Sequence, residues 1–166
     1  MTRLAILLAL ALPACGLKPL YAGGANGPVA SSLGQVEVTA IQGRAGWLMA
    51  NALRDRLGEG GSGPRYRLNV RLDDQITGLG IRRDDAVTRE RRTVRARYQL
   101  VDLANGSVVL DATAGSDAGI DVVQSEYATI AAENTALERL SLIVADEIVA
   151  RLALYARANP RVAAPR

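Results

Sequence analysis

The chain has 166 residues, with 20 basic and 17 acidic side chains, no histidine and a single cysteine. This length suits one domain of ordinary size. Without histidine or a second cysteine, the chain lacks the residues for the common zinc sites and for the nucleophile–histidine pairs of hydrolases. An enzyme built from it would have to use carboxylates or arginines alone, and we expect no enzymatic activity.

The first residues predict an exported, lipid-modified protein. Arg3 precedes an apolar run over residues 4–14, which as a helix would rise only about 16 Å and could not span roughly 30 Å of bilayer hydrocarbon. The run therefore indicates a signal peptide, residues 1–14. It ends in Leu-Pro-Ala-Cys, which resembles the lipobox of bacterial lipoproteins. We predict a diacylglycerol and an N-acyl chain on Cys15, and no other cofactor and no metal. A buried free cysteine in an ordinary secreted protein is the alternative.

The segments that flank the predicted domain have a different composition. Residues 15–34 are rich in glycine, proline and small side chains, which is typical of a flexible tether. Residues 158–166 contain two prolines and predict a frayed tail. Residues 35–157 then form a single domain.

Hydrophobic periodicity predicts strand, helix, three strands and helix, in that order. The predicted strands cover residues 36–41, 65–76, 87–102 and 107–119, and the helices cover residues 44–57 and 125–157. Residues 77–85 indicate a polar connection, and Asn105-Gly106 indicates a two-residue type I′ hairpin turn. The order predicts an α+β fold, with a four-stranded, mostly antiparallel sheet and two helices packed on one face. Because the strands alternate cleanly between polar and apolar residues, the other face of the sheet stays uncovered.

Arginine is concentrated on this uncovered face. Residues 65–97 contain ten arginines and five acids, whereas residues 98–166 contain five arginines and nine acids. Arginines on paired strands would form a lattice of like charges, which destabilises a sheet and favours an external anion. Guanidinium groups bind phosphate in a bidentate manner. A solvated face whose arginines discourage edge aggregation is an equal alternative. The candidate ligand-binding residues are Arg65, Arg67, Arg71, Arg89, Arg91, Arg95 and Arg97.

Two other kinds of site are disfavoured by side-chain direction. Tyr66 and Tyr98 have the inward parity of their strands, so the arginine face has no aromatic platform on which nucleic-acid bases could stack. The acidic pairs at 73–74 and 84–85 lie next to arginines, and neighbouring strand residues point to opposite faces. We therefore expect neither nucleic-acid binding nor a metal or carboxylate site.

Two segments resemble the LptE family of lipopolysaccharide-assembly lipoproteins, in particular its alphaproteobacterial branch. Cys-Gly-Leu-Lys-Pro-Leu-Tyr at residues 15–21 is similar to the family's Cys-Gly-aromatic-x-Pro-Leu-Tyr opening, with Leu17 in place of the aromatic residue. Residues 43–53 are similar to the start of the family's first helix. The resemblance implies a sheet covered on one side by two helices, and a role without catalysis.

The resemblance also implies a location and two partners. The protein would be lipid-anchored at the periplasmic face of the outer membrane, where it would plug the LptD β-barrel, assist the assembly of that barrel and bind lipopolysaccharide during delivery to the outer leaflet. Phosphates of the lipid A region would then lie on the arginine face. The alternative is a generic outer-membrane lipoprotein that acts as an adaptor or as an auxiliary subunit of another envelope transport system.

Overall fold

The computed structural model of the protein describes residues 27–58, 63–81 and 87–159. The predicted signal peptide, Cys15 and the residues after 159 lie outside this part of the chain. The helices are α1 (Pro28–Leu33), α2 (Gly43–Leu57) and α3 (Glu126–Ala158). The strands are β1 (Val36–Val38), β2 (Tyr66–Ile81), β3 (Val87–Asp102) and β4 (Val108–Asp121).

The four strands form one sheet in the order β1-β2-β3-β4. β1 is parallel to β2, because α2 connects them as a crossover, and the other neighbours are antiparallel. The helices α2 and α3 pack on one face of this sheet. The predicted α+β fold, with a mostly antiparallel four-stranded sheet and two helices on one face, is confirmed.

An aliphatic core fills the space between the sheet and the helices. Side chains on β3 alternate between buried and exposed from residue 94 to residue 98, and the predicted inward residues are the buried ones, Tyr98 included. The sheet contributes Leu68, Val94, Ala96 and Leu100; α2 contributes Met49, Leu53 and Leu57; α3 contributes Leu137, Leu140, Val144, Ile148 and Leu152. Dispersion and apolar burial across this layer hold the helices to the sheet.

The helices α2 and α3 run in the same direction. Arg44, near the start of α2, donates a hydrogen bond to Asn134 and lies 3.8 Å from Glu138. Arg56, near its end, forms an ion pair with Asp146. Because α2 begins beside residue 134, it leaves the first two turns of α3 uncovered. Ile130, in the second turn of α3, is accordingly 47% exposed.

The prediction of a flexible tether up to residue 34 is wrong for its last stretch, which is the helix α1. Pro28 occupies the first turn, where its missing N–H costs nothing, and the Ser32 hydroxyl donates to the Pro28 carbonyl at 2.7 Å. Val29 and Leu33, four residues apart, are both buried in the core. This burial orders a segment whose composition alone favours flexibility. Residues 15–26 of the predicted tether lie outside the described part.

Two connections also differ from the predictions. β2 continues to Ile81, where a polar connection was predicted, because backbone pairing with β3 persists through Gly78. The β3–β4 turn is wider than a type I′ turn: the Asp102 N–H donates to the Ser107 carbonyl at 2.9 Å, and the Gly106 N–H donates to the Asp102 carbonyl at 2.8 Å. Gly106 has the positive φ, +72°, that the loop requires.

Candidate functional site

The sheet face opposite the helices is a polar surface, which we call the outer face. Its residues have the exposed parity of each strand and lie in register across the sheet. It comprises Glu37 on β1; Arg67, Asn69, Arg71, Asp73 and Gln75 on β2; Arg89, Arg91, Thr93, Arg95, Arg97 and Gln99 on β3; and Asp111, Thr113, Gly115, Asp117, Gly119 and Asp121 on β4.

Charge on the outer face is nearly balanced. The face holds six arginines and five carboxylates, although arginine dominates the sequence from residue 65 to residue 97. The difference comes from β4, which places its aspartates beside the arginines of β3. The predicted lattice of neighbouring arginines is therefore wrong for most of its pairs: among the seven candidate arginines, only Arg71 and Arg97 are direct cross-strand partners in the described strands.

Four arginines of the outer face are paired with carboxylates of the same chain. The N···O distances are 3.7 Å for Arg67–Glu37, 3.0 Å for Arg89–Asp121, 3.7 Å for Arg91–Asp117 and 2.9 Å for Arg97–Asp111. All four pairs are solvent-exposed, so each adds little to the stability of the fold. An external anion can therefore exchange with these carboxylates at small cost.

The pair Arg97–Asp111 has the best geometry of the four. Arg97 donates from Nε and Nη2 to the two carboxylate oxygens of Asp111, at 3.2 and 2.9 Å, and Gln99 adds a third hydrogen bond at 2.8 Å. The hydrogen bonds from Arg97 and then from Gln99 lower the pKa of Asp111 to about 2. The Arg97 guanidinium correspondingly has a raised pKa, mainly because of its hydrogen bond to Asp111.

Arg71 and Arg95 differ from the other arginines of this face. Both are exposed, and neither has an ion pair with a carboxylate in the described part of the chain. Arg95 lies across Gly115 of the neighbouring strand: a Cβ at Gly115 would come within 3.1 Å of Arg95 Cγ. The carboxylate of Asp73, opposite Arg95, instead accepts hydrogen bonds from Gln75 at 3.1 and 3.3 Å.

A shallow depression of about 530 Å³ surrounds these two arginines. Arg71, Arg95 and Arg97 line it together with Thr93 and Thr113. Guanidinium and hydroxyl donors are suited to an oxyanion such as a phosphate. Asp73, Asp117 and Glu147 also line the depression, so an anion would bind on its arginine side.

The remaining predicted arginines are arranged differently. Arg67, Arg89 and Arg91 lie on the same face with carboxylate partners. Arg65 lies before β2, where its guanidinium is 5.3 Å from the centroid of the Tyr66 ring and its backbone N–H donates to the Gln35 carbonyl at 2.9 Å. The assignment of all seven arginines to lipopolysaccharide stays a prediction.

One charged pair on the helix-covered face was not predicted. Arg92 donates from Nη2 to Asp74 at 2.6 Å and from Nη1 to the Glu133 carbonyl of α3 at 2.9 Å. The available sequence signal was their position: Arg92 and Asp74 are even-numbered, and the even-numbered residues of β2 and β3 face the helices. Asp73, the neighbour of Asp74, points to the outer face, and residues 84–85 lie outside the described part.

Two further features concern metal and membrane. Within residues 27–58, 63–81 and 87–159, no three histidine, cysteine, aspartate or glutamate side chains are grouped to hold a metal ion. None of the helices in those ranges combines the length and apolar character that crossing a bilayer requires.

A comparison with protein families finds a match over residues 33–152 to the family described as LptE, lipopolysaccharide-assembly. The chain belongs to the LptE family. It is therefore a membrane-associated lipoprotein of lipopolysaccharide assembly, in a family whose role is non-enzymatic. A comparison with curated proteins gives no significant match.

Three solved structures are similar to this member of the LptE family. A chain described as a lipoprotein from Caulobacter crescentus is 27% identical, with a TM-score of 0.69 over 80% of this chain and 100% of that one. Rare lipoprotein B from Shewanella oneidensis is 10% identical, with a TM-score of 0.54 over 77% and 95% of the two chains. Lipoprotein B from Nitrosomonas europaea is 10% identical, with a TM-score of 0.57 over 76% and 84%. The last two, at this identity, support the fold alone.

Proposed function

We propose that this lipoprotein is anchored through acylated Cys15 at the periplasmic face of the outer membrane, where it forms a complex with the LptD β-barrel and assists the delivery of lipopolysaccharide to the outer leaflet. The match to the LptE family over residues 33–152 carries this proposal. The outer face supports the ligand-binding part, because it presents guanidinium groups on a surface that the helices leave open.

Within that face, Arg71 and Arg95 are the first contacts for a lipid A phosphate. Both guanidinium groups are available without breaking an ion pair in the described part of the chain. Arg97 lies directly opposite Arg71, and it becomes a third contact for the phosphate when the phosphate replaces Asp111 as its partner. The exchange costs little because the pair is exposed.

Co-purification from detergent tests the partner. The full-length chain with a C-terminal tag is extracted from its own membranes, and the associated proteins are identified and quantified. We expect one large β-barrel in a one-to-one ratio, and an N-terminal peptide whose mass includes the acyl chains on Cys15. A stoichiometric periplasmic or inner-membrane partner would instead support the adaptor function, and an unacylated N-terminus would contradict the anchor.

Charge reversal tests the ligand site. The double variant Arg71→Glu/Arg95→Glu should bind purified lipopolysaccharide at least about tenfold more weakly than the natural protein, since hydrogen bonds to charged groups are each worth about 1.5–3 kcal/mol. Its affinity should also depend less on salt, because fewer charges pair on binding.

The control for this experiment makes the same change of charge on the helix layer. Arg54 and Arg139 are exposed on α2 and α3, on the other side of the molecule. The variant Arg54→Glu/Arg139→Glu should keep the natural affinity. Equal weakening by the two double variants would show that net charge alone is responsible and would overturn the assignment to the outer face.

A further inference from the structure

The last strand of the sheet has an open edge. β4 has 14 residues and pairs only with β3 in the described part of the chain. The Gly115 N–H points away from β3, because it donates to the Glu147 carboxylate of α3 at 3.3 Å. Backbone direction alternates along a strand, so the N–H groups of Thr113 and Asp117 point to the same side. Neither has a hydrogen-bond acceptor within the described residues.

This edge has little protection against strand addition. Natural proteins shorten such strands, place proline or charged side chains (especially lysine) in them, or cover them with another segment. β4 contains no proline, lysine or arginine, its charged side chains are three aspartates on the outer face, and its central side chains are small: Ala112, Thr113, Ala114, Gly115 and Ser116. Glu147 is the side chain that reaches the edge in the described structure, and it engages a single N–H. The backbone of residues 113–117 is therefore open to another backbone.

An apolar helix face borders the same edge. Because Glu147 contacts Gly115, the α3 residues three, four and seven positions from Glu147 lie near β4. The exposed ones are Ile143, Ala150, Arg151 and Leu154, with Ile143 and Leu154 at 50% each. Val108, at the start of β4, is also 51% exposed. An added strand would thus have an apolar surface beneath it and hydrogen-bond partners beside it.

The charges of β4 indicate which kind of added strand would bind to this edge. The charged side chains of β4 are Asp111, Asp117 and Asp121, all on the outer face. A second copy of this chain paired through its own β4 would set aspartate rows side by side, which is unfavourable. A strand with lysine or arginine on its outward positions and apolar residues on its inward positions complements both sides.

We propose that the edge of β4 and the adjoining face of α3 bind an extended segment of a partner protein, with alternating basic and apolar residues, as a fifth strand of the sheet. Glu147 moves off the Gly115 N–H when the segment pairs. The site lies at the sheet edge, where residues 113–117 and Glu147 also form one rim of the arginine-lined depression. The proposal does not depend on lipopolysaccharide binding.

A proline variant tests the backbone pairing. Thr113→Pro removes an N–H that faces away from β3, so the β3–β4 ladder stays intact, while Thr113→Val keeps that N–H. The probes are a ten-residue peptide of alternating valine and lysine, the same peptide with glutamate for lysine, and an N-methylated valine–lysine peptide that cannot pair. Binding is measured by isothermal titration calorimetry with the mature protein.

We expect the valine–lysine peptide to bind the natural protein and the Thr113→Val variant equally. It should bind Thr113→Pro at least tenfold more weakly, and the glutamate and N-methylated peptides should bind at least tenfold more weakly to the natural protein. Ile143→Glu/Leu154→Glu, which alters only half-exposed side chains, should also weaken binding tenfold or more.

Three results would overturn the proposal. These are absence of binding by the natural protein, equal binding by the N-methylated peptide, and unchanged binding in both Thr113→Pro and Ile143→Glu/Leu154→Glu. Self-association of the natural protein that Thr113→Pro abolishes would identify a second copy as the occupant and would also contradict it. Ile143 and Leu154 do not line the arginine-lined depression, so lipopolysaccharide affinity should be unchanged in Ile143→Glu/Leu154→Glu, and failure here is distinct from failure of the proposed function.

Discussion

Asp111 controls how much positive charge the outer face offers to a ligand. Its carboxylate accepts hydrogen bonds from Arg97 and Gln99, which hold its pKa at about 2. It is therefore ionised at any pH where the protein functions, and it competes with an external phosphate for Arg97. Arg71 and Arg95 have no such competitor in the described part of the chain. Affinity for an anion therefore depends on the carboxylates of β4 as well as on the arginines.

The first prediction removes this competitor. Asp111→Asn should raise the affinity for lipopolysaccharide by about three- to tenfold, because it frees Arg97 and adds one unit of positive charge. Surface plasmon resonance with immobilised lipopolysaccharide measures the change. Asp121→Asn is the matched control: it makes the same change of charge beside Arg89, and neither residue lines the depression. Its gain should be smaller, and a loss of affinity in Asp111→Asn would contradict the competition.

At the scale of the elements, the approach of α2 to the preceding connection depends on one glycine. Gly46 lies in the first turns of α2 and is buried. A Cβ at this position would lie 2.5 Å from the carbonyl oxygen of Ile41 and 2.6 Å from its carbonyl carbon. Backbone atoms cannot move aside as a flexible side chain does, so α2 can follow β1 this closely only with glycine there.

The second prediction concerns Gly46→Ala. The substitution should lower the free energy of unfolding by about 1–3 kcal/mol, the usual range for an overpacked site, even though alanine has the higher helix propensity. Urea denaturation followed by circular dichroism measures this change. Gly119→Ala provides the comparison, since a Cβ at Gly119 meets nothing within 4 Å. If the Gly46→Ala variant is as stable as the natural protein, the backbone at Ile41 can shift without cost, and the prediction is wrong.

At the scale of the whole molecule, folding brings together opposite charges that lie in separate segments of the sequence. The basic segment 65–97 and the more acidic segment 98–166 meet on the outer face, where aspartates of β4 pair with arginines of β3. A similar pairing joins the helices, and the hydrogen bond from Arg56 lowers the pKa of Asp146. The result is a molecule of formal net charge +3 whose ion pairs lie mostly on its surface.

The third prediction follows from these pairs and from the absence of histidine. A carboxyl group whose pKa is lowered by folding stabilises the fold above its ordinary pKa of about 3.9, and this contribution is lost as the pH falls through the folded pKa. For Asp111 the folded pKa is about 2. The melting temperature should therefore be nearly constant between about pH 5 and 8, where no side chain of this composition ordinarily titrates, and fall between about pH 4 and 2.

Thermal melts at constant ionic strength check this pH dependence. In the double variant Asp111→Asn/Asp146→Asn, the melting temperature should be lower at neutral pH and should fall less steeply in acid, because the two lowered pKa values are gone. A decline of the natural protein's melting temperature between pH 8 and 5 would contradict the account.

Much of the local structure was predictable from neighbouring residues. The helix at residues 44–57 was placed to within one residue of α2, and the inward residues of β3, such as Val94 and Tyr98, were identified by alternation. These predictions were correct because a hydrophobic period of 3.6 or 2 residues can be recognised within a short stretch of sequence. The Asn105-Gly106 turn was found in place but not in type, because the hydrogen bonds of Asp102 widen the loop.

The sequence by itself determined the α+β layer, its element order and a polar outer face lined with arginine, because each depends on local periodicity and composition. Tertiary structure alone decided that Asp111 lies beside Arg97, that Arg71 and Arg95 stay without carboxylate partners in the described chain, and that residues 28–33 form a helix. Those outcomes depend on strand register and on contacts between distant segments. A shift of register changes every cross-strand neighbour without changing the periodicity of either strand.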